Sequence, residues 1–145
     1  MTKRLKEGQK QRVVIDSNVW LSGLVFGGYP SKILELFING DLFVVMSEEL
    51  VSELRRKIVQ KFPLLAPKLG LLEASIWKDA IMVKLGTTTI KISRDPNDDK
   101  FIETALLGGC RYIISGDQDL LALGSYQDIH IVKPTEFLKI EPLKN

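Results

Sequence analysis

One cysteine and one histidine are all this chain of 145 residues contains of either type. The lone Cys110 rules out an internal disulfide and suits a reducing compartment. It follows Gly109 near an expected helix end and reads as a small core residue. A zinc site needs several Cys or His ligands, and the chain does not supply them. His130 falls within an expected strand, which disfavours a role as metal ligand or general base. No apolar run approaches the ~18 residues of a membrane span. The N-terminal MTKRLKEGQKQR lacks an apolar stretch, so it is not expected to be a secretory signal. The expected location is cytoplasmic, with no membrane partner. Phosphate-cradling and dinucleotide-binding glycine motifs are both missing. A calcium loop fails as well: Asp95-x-Asn97-x-Asp99 starts one, but Lys100 stands at its glycine and Leu106 at its glutamate.

What remains is an ordinary globular composition, 45% apolar and 26% charged, with a net charge of +2. That charge is uneven. Residues 1–12 carry five basic groups against one acidic group, a net +4, and the rest carries 15 basic and 17 acidic groups, a net −2. The expected organisation is a basic, solvated tail over residues 1–12 and one domain over 13–140. Such a tail can touch phosphates, but charge alone does not establish nucleic-acid binding.

Short apolar strands alternate with helical patterns. Val13–Ile15 is a strand ending at Asp16, and Gly23, Gly27, Gly28 and Pro30 suggest a loop. Ser31–Asn39 has helical spacing, Leu42–Met46 is a strand, and Ser47 caps a helix to Lys61 with the stripe Leu50, Val51, Leu54, Ile58. After Pro63 and Pro67, a helix is expected to run to Leu85 and to bury Leu72, Ile76 and Ile81. Thr87–Ile92 is β-branched and strand-like. The helix holding Phe101, Ile102, Ala105 and Leu106 ends at Gly108-Gly109. Tyr112–Ser115 and Ile129–Val132 are strands, Asp119–Leu123 a short helix, and Pro134–Leu138 a helical turn. The alternation predicts an α/β three-layer sandwich, a central mostly parallel sheet with helices on both faces. It does not give the strand order. Trp20 and Trp77 read as packing residues rather than base-stacking platforms.

Acids stand just past these strands. In an open parallel sheet the strands' carboxyl ends face one crevice, where ligands bind. Asp16, Glu53, Asp98 and Asp117 are therefore expected to meet there. Gathered carboxylates repel unless a cation joins them, and a hard divalent ion with oxygen ligands suits them. Each acid also has a plainer reading. Asp16 can cap a turn, with Ser17 and Asn18 beside it. Glu53 can pair on the surface with Arg56 or Lys57. Asp117 or Asp119 can cap a short helix. Asp98 shares the helix face of Phe101, Ile102 and Ala105, whereas Asp99 is turned away by ~100°.

In their order and spacing, VVIDSNVWLSGL, SEELVSELRRKI, RDPNDDKFIETALLGG and YIISGDQDLLAL resemble the PIN domain. The resemblance spans about Arg12 to Leu138, and its wording is similar to the group described as toxins of bacterial or archaeal toxin–antitoxin pairs. It implies a Mg²⁺- or Mn²⁺-dependent ribonuclease acting on RNA. Asp16, Glu53, Asp98 and Asp117 would be the catalytic acids, with Asp16, Asp98 and Asp117 holding metal. Ser17, Asn18, Ser115 and Asp119 would be auxiliary. Arg55, Arg56, Lys61 and Arg94 are candidates for contacting the RNA backbone. An antitoxin protein and a homodimer are the protein partners such a resemblance implies. Two rival classes stay open at this level. One is a small-molecule phosphohydrolase, although Asp16-Ser17-Asn18 lacks the second Asp of an Asp-x-Asp motif. The other is a non-catalytic RNA- or protein-binding module.

Overall fold

The structure, a computed structural model, describes residues 10–86 and 96–140. Six strands form one sheet: β1 (Arg12–Ile15), β2 (Phe43–Met46), β3 (Ile81–Met82), β4 (Tyr112–Ile114), β5 (Ser125–Tyr126) and β6 (Ile129–Val132). Their order is β3-β2-β1-β4-β6-β5, and every neighbouring pair is parallel except β5 with β6. Seven helices are described: α1 (Ser17–Val25), α2 (Gly28–Ile38), α3 (Glu48–Lys61), α4 (Leu69–Asp79), α5 (Pro96–Leu107), α6 (Gln118–Leu123) and α7 (Pro134–Phe137). Consecutive strand residues point to opposite faces. Val13, Val14 and Ile15 are all buried, as are Val44, Val45 and Met46. Both faces of the central strands are therefore covered, which is the three-layer arrangement the alternating pattern predicts. No helix among the described residues is long and apolar enough to cross a membrane.

Strand order decides where a site can form. From β1 the chain moves to one side through β2 and β3, then crosses to β4 on the other side of β1. The reversal lies between β1 and β4, and a crevice opens beyond the carboxyl ends of strands at such a point. Asp16 follows β1 there and Ser115 follows β4, and the two chains are tied by Asp16 N–H donating to Ile114 O at 2.9 Å.

Several elements depart from the sequence pattern. The glycine-marked stretch is mostly helical, because Asp16 caps α1 directly from β1. Gly23 lies inside α1 as a contact point: a Cβ there would sit 2.7 Å from Leu34 Cδ1 and 3.0 Å from Pro30 O, so its absence lets α1 and α2 approach closely. Pro30 fits the first turn of α2, where its missing N–H costs nothing. The helix expected to reach Leu85 stops at Asp79. Ile81 and Met82 instead pair with Val45 and Met46, satisfying the edge of β2. Ile76 is buried as expected, while Ile81 is half-buried as a strand residue. The β5–β6 hairpin went unforeseen. Its turn uses Gln127 at φ 53, without the glycine or asparagine that normally marks such a turn. Trp20 is 2% exposed and meets Phe37 edge-on at 5.9 Å. Trp77, expected to pack, is 50% exposed. Cys110 is buried, and burial pushes its thiol up to about 12. The expected strand Thr87–Ile92, Arg94 and residues 1–9 of the basic tail lie outside the described residues.

Candidate active site

Asp16 is held from three sides. Ser115 Oγ donates to its Oδ2 at 2.7 Å, and Asn18 N–H and Ser17 Oγ approach its Oδ1, each at 3.4 Å. Ser115 also accepts from Asp117 N–H at 2.9 Å, so one hydroxyl sets two acids. Burial raises the Asp16 pKa above its ordinary 3.8, and the Ser115 and Asn18 hydrogen bonds only partly offset that.

Glu53 enters from α3. Ser47 caps this helix, accepting from Leu50 N–H at 3.4 Å, and Leu50, Val51, Leu54 and Ile58 are buried. That stripe carries Glu53 inward, to 8% exposure. The surface pair with Arg56 or Lys57 does not form. Lys100 Nζ donates to Glu53 Oε1 at 2.7 Å and Ser17 Oγ to Oε2 at 2.8 Å. Burial pushes the Glu53 pKa up, but these hydrogen bonds, with the charges of Lys100 and Lys57, outweigh it and leave the pKa lowered. Lys57 Nζ donates to Ser17 Oγ at 2.9 Å and lies 3.4 Å from Asn18 Oδ1.

Asp98 and Asp99 stand in the first turn of α5, where the helix dipole favours acids. Both are buried, and it is Asp98, not Asp99, that lines the crevice. Asp117 caps α6, its Oδ1 accepting from Asp119 N–H at 2.9 Å and Leu120 N–H at 3.1 Å. Carboxylate oxygens of Asp98, Asp117 and Asp119 lie within 4.8 Å of one another. A cavity of 280 Å³ is lined by Asp16, Asn18, Glu53, Arg56, Lys57, Asp98, Phe101 and Asp117. All four acids singled out in the sequence thus border one space. Arg56 borders it too, whereas Arg55 pairs with Glu73 and Lys61 ends α3. Sequence reasoning missed Lys57 and Lys100 as site residues. Lys57 lies one turn beyond Glu53 on the same helix, the one signal that pointed to it. Lys100 had no such signal, because its partner is 47 residues away.

The donor set is chemically suited to a metal. It offers carboxylate oxygens alone, from a buried, a half-buried and an exposed residue, so one side stays open to solvent. Hard divalent cations prefer such oxygens.

Comparison with known proteins agrees with this architecture. The structure of FitAB bound to an IR36 DNA fragment superimposes with a TM-score of 0.59 at 14% identity, covering 84% of this chain and 94% of that one. VapBC2 from Rickettsia felis, solved with a DNA fragment from their promoter, gives 0.56 at 8% identity, covering 83% and 96%. A search of curated sequences found no match. Residues 12–119 match the PIN domain, a span that includes all four acids, and the chain belongs to that family.

Proposed function

We propose that this protein is a divalent-metal-dependent ribonuclease and the toxin of a toxin–antitoxin pair. The observation that carries the reading is the convergence of Asp98, Asp117 and Asp119 oxygens within 4.8 Å, at the crevice where Asp16 and Glu53 also stand. Asp16, Asp98 and Asp117 would hold the ion, with Asp119 near enough to Asp98 and Asp117 to assist. A bound Mg²⁺ or Mn²⁺ would supply Lewis acidity towards a phosphodiester and would lower the pKa of a water molecule, so that its deprotonated form is available as nucleophile.

The protein's own groups do the rest. Asp16 is buried at the crevice, with Ser17 Oγ and Asn18 N–H approaching its Oδ1. Ser115 fixes its Oδ2, so the carboxylate cannot turn away. Glu53 stays anionic and holds Ser17 and Lys100 in place. Arg56 and Lys57, on the cavity wall, bind backbone phosphate by charge. No histidine is needed: His130 is exposed on β6, against Tyr112 rather than the crevice. The toxin–antitoxin part of the reading draws on the sequence resemblance and on the fold shared with FitAB and VapBC2, both solved with DNA fragments. An antitoxin protein would be the partner that restrains the nuclease.

The test is cleavage of a set of structured RNAs by metal-stripped protein, with and without added Mn²⁺, beside a phosphate-monoester control. RNA cleavage that needs the ion and spares the monoester is expected. Monoester hydrolysis alone would make the protein a phosphohydrolase, and no turnover of either would leave a binding module.

A further inference from the structure

The acid-lined cavity has a neighbour. A second cavity, of 450 Å³, is also lined by Asn18 and Asp117, so the two adjoin along those side chains. Their chemistry differs. Arg56 and Lys57 border the first, whereas the wall of the second bears no lysine or arginine, and Asp117 is its one charged group. Val19, Pro30 and Pro134 give the second cavity apolar faces, and Ser22 and Gln118 bring a hydroxyl and an amide to it. Among the described residues, the side chains of Ser22 and Gln118 have no hydrogen-bond partner.

Gly116 lines this cavity too, between Ser115 and Asp117. The fold gives no reason for a glycine there. Its φ is not positive, so no left-handed turn calls for it. A Cβ at Gly116 would meet no atom within 4 Å, unlike one at Gly23 or Gly108, which would strike Leu34 or Val45. The missing side chain leaves room at the cavity wall, next to the acid that borders both cavities.

A polynucleotide cut at the acids must continue beyond them. Its phosphates are drawn to Arg56 and Lys57, and a wall without cations does not hold another. A nucleobase suits that wall. It is uncharged, it offers apolar faces, and its edge carries the donors and acceptors that amides and hydroxyls read. The volume falls within the ~300–1,000 Å³ of small-molecule sites.

We propose that the cavity between α1 and the start of α6 is a nucleobase subsite. It takes one unpaired base next to the scissile phosphate, with Gln118 and Ser22 as specificity-determining residues. The inference rests on the ribonuclease reading above and adds the part of the substrate that is recognised. A base paired within a helix cannot enter such a recess, so the substrate is single-stranded RNA or an RNA loop.

Short single-stranded RNAs, each with one abasic nucleotide, test this in Mn²⁺ once the cut in the intact strand is mapped. Removing the base on one side of the cut should raise the wild-type KM at least about tenfold. Gly116→Leu, which fills the cavity, should raise KM as much on the intact strand and cleave that abasic strand like wild type. The second comparison separates a filled cavity from a disturbed Asp117, which would slow both strands. If Gly116→Leu does not fold, Ser22→Leu, which fills the cavity from α1, is read in the same way. Gln118→Ala should lessen discrimination among the four bases at that position and leave the abasic strand unaffected. A wild-type KM unmoved by base removal on either side of the cut would overturn the inference and leave the metal-dependent ribonuclease intact. So would a folded Gly116→Leu or Ser22→Leu that slows intact and abasic strands equally. No cleavage of any RNA by wild type would remove the proposed function and this inference together.

Discussion

Replacing Asp98 with Asn should stabilise the protein in EDTA and destabilise it in metal. The Asp98, Asp117 and Asp119 oxygens lie within 4.8 Å. At that separation two unit charges repel by about 3.5 kcal/mol at an effective dielectric of ~20, and by about 1 kcal/mol in water. Asp117 is half-buried and Asp119 exposed, so solvent screening favours the lower figure. Relief of about 1–2 kcal/mol, at about 3 °C per kcal/mol for a chain of this size, gives a Tm some 3–6 °C higher in EDTA. Metal reverses the order. An ion at 100 times its Kd stabilises the native state by about 2.7 kcal/mol, and a variant that has lost a ligand forgoes much of that. Differential scanning calorimetry of both proteins across a Mn²⁺ series should therefore show their Tm curves crossing. Parallel curves would refute the reasoning, because the carboxylates would then neither repel without metal nor bind it together.

Other perturbations should behave as follows. In EDTA, Asp16 and Glu53 should act on stability with opposite signs. Burial raises the Asp16 pKa, so its charge increasingly opposes folding as pH rises above 3.8, and Asp16→Asn should gain on wild type from pH 3 to 7. The Glu53 pKa is lowered, so its contribution is present above 4.5 and fades as pH falls through the folded value; Glu53→Gln should lose ground over the same rise. Thermal melts along that pH series decide it, and shifts of the same sign would contradict the burial and hydrogen-bond assignments. Cys110, buried with its thiol pushed to about 12, should resist iodoacetamide at pH 8 in the native state and react in denaturant; mass spectrometry reads both. Gly23→Ala should cost about 1–3 kcal/mol by chemical denaturation, since its methyl would overlap Leu34, and an unchanged midpoint would show that α1 and α2 part easily.

Much of the fold was legible because its strands are short apolar runs followed by chemically marked turns. Ser47 before α3 and Gly108-Gly109 after α5 end up as the expected cap and stop: Gly109 has φ 64, and Cys110 N–H reaches back to Ala105 O at 2.9 Å. What the sequence hid was set by distant partners. No glycine or proline stops the helix between Ile76 and Ile81, and only pairing with the edge of β2 makes Ile81 a strand residue. Gly23 looks like a loop glycine until Leu34 lies against it. Acids at strand ends were visible one by one, since each follows a local signal. Lys100 was not, because its meaning depends on α5 being fastened to α3 through Thr104 and Ser47. Strand order, which places Asp16 beside Ser115, leaves no trace in the alternation of elements.

The central claim is that the crevice acids cleave RNA with a divalent ion. The most direct measurement compares purified wild type, Asp117→Asn and His130→Ala on one structured RNA, in Mn²⁺ and in EDTA. Asp117 is half-buried and lines the crevice, and its loss should slow turnover by at least about 100-fold, comparable with losing one strong electrostatic contact to the transition state. Wild-type activity should vanish in EDTA and return with Mn²⁺, and His130→Ala should cleave like wild type. Equal cleavage by folded Asp117→Asn and wild type, or its loss in folded His130→Ala alone, would contradict the account.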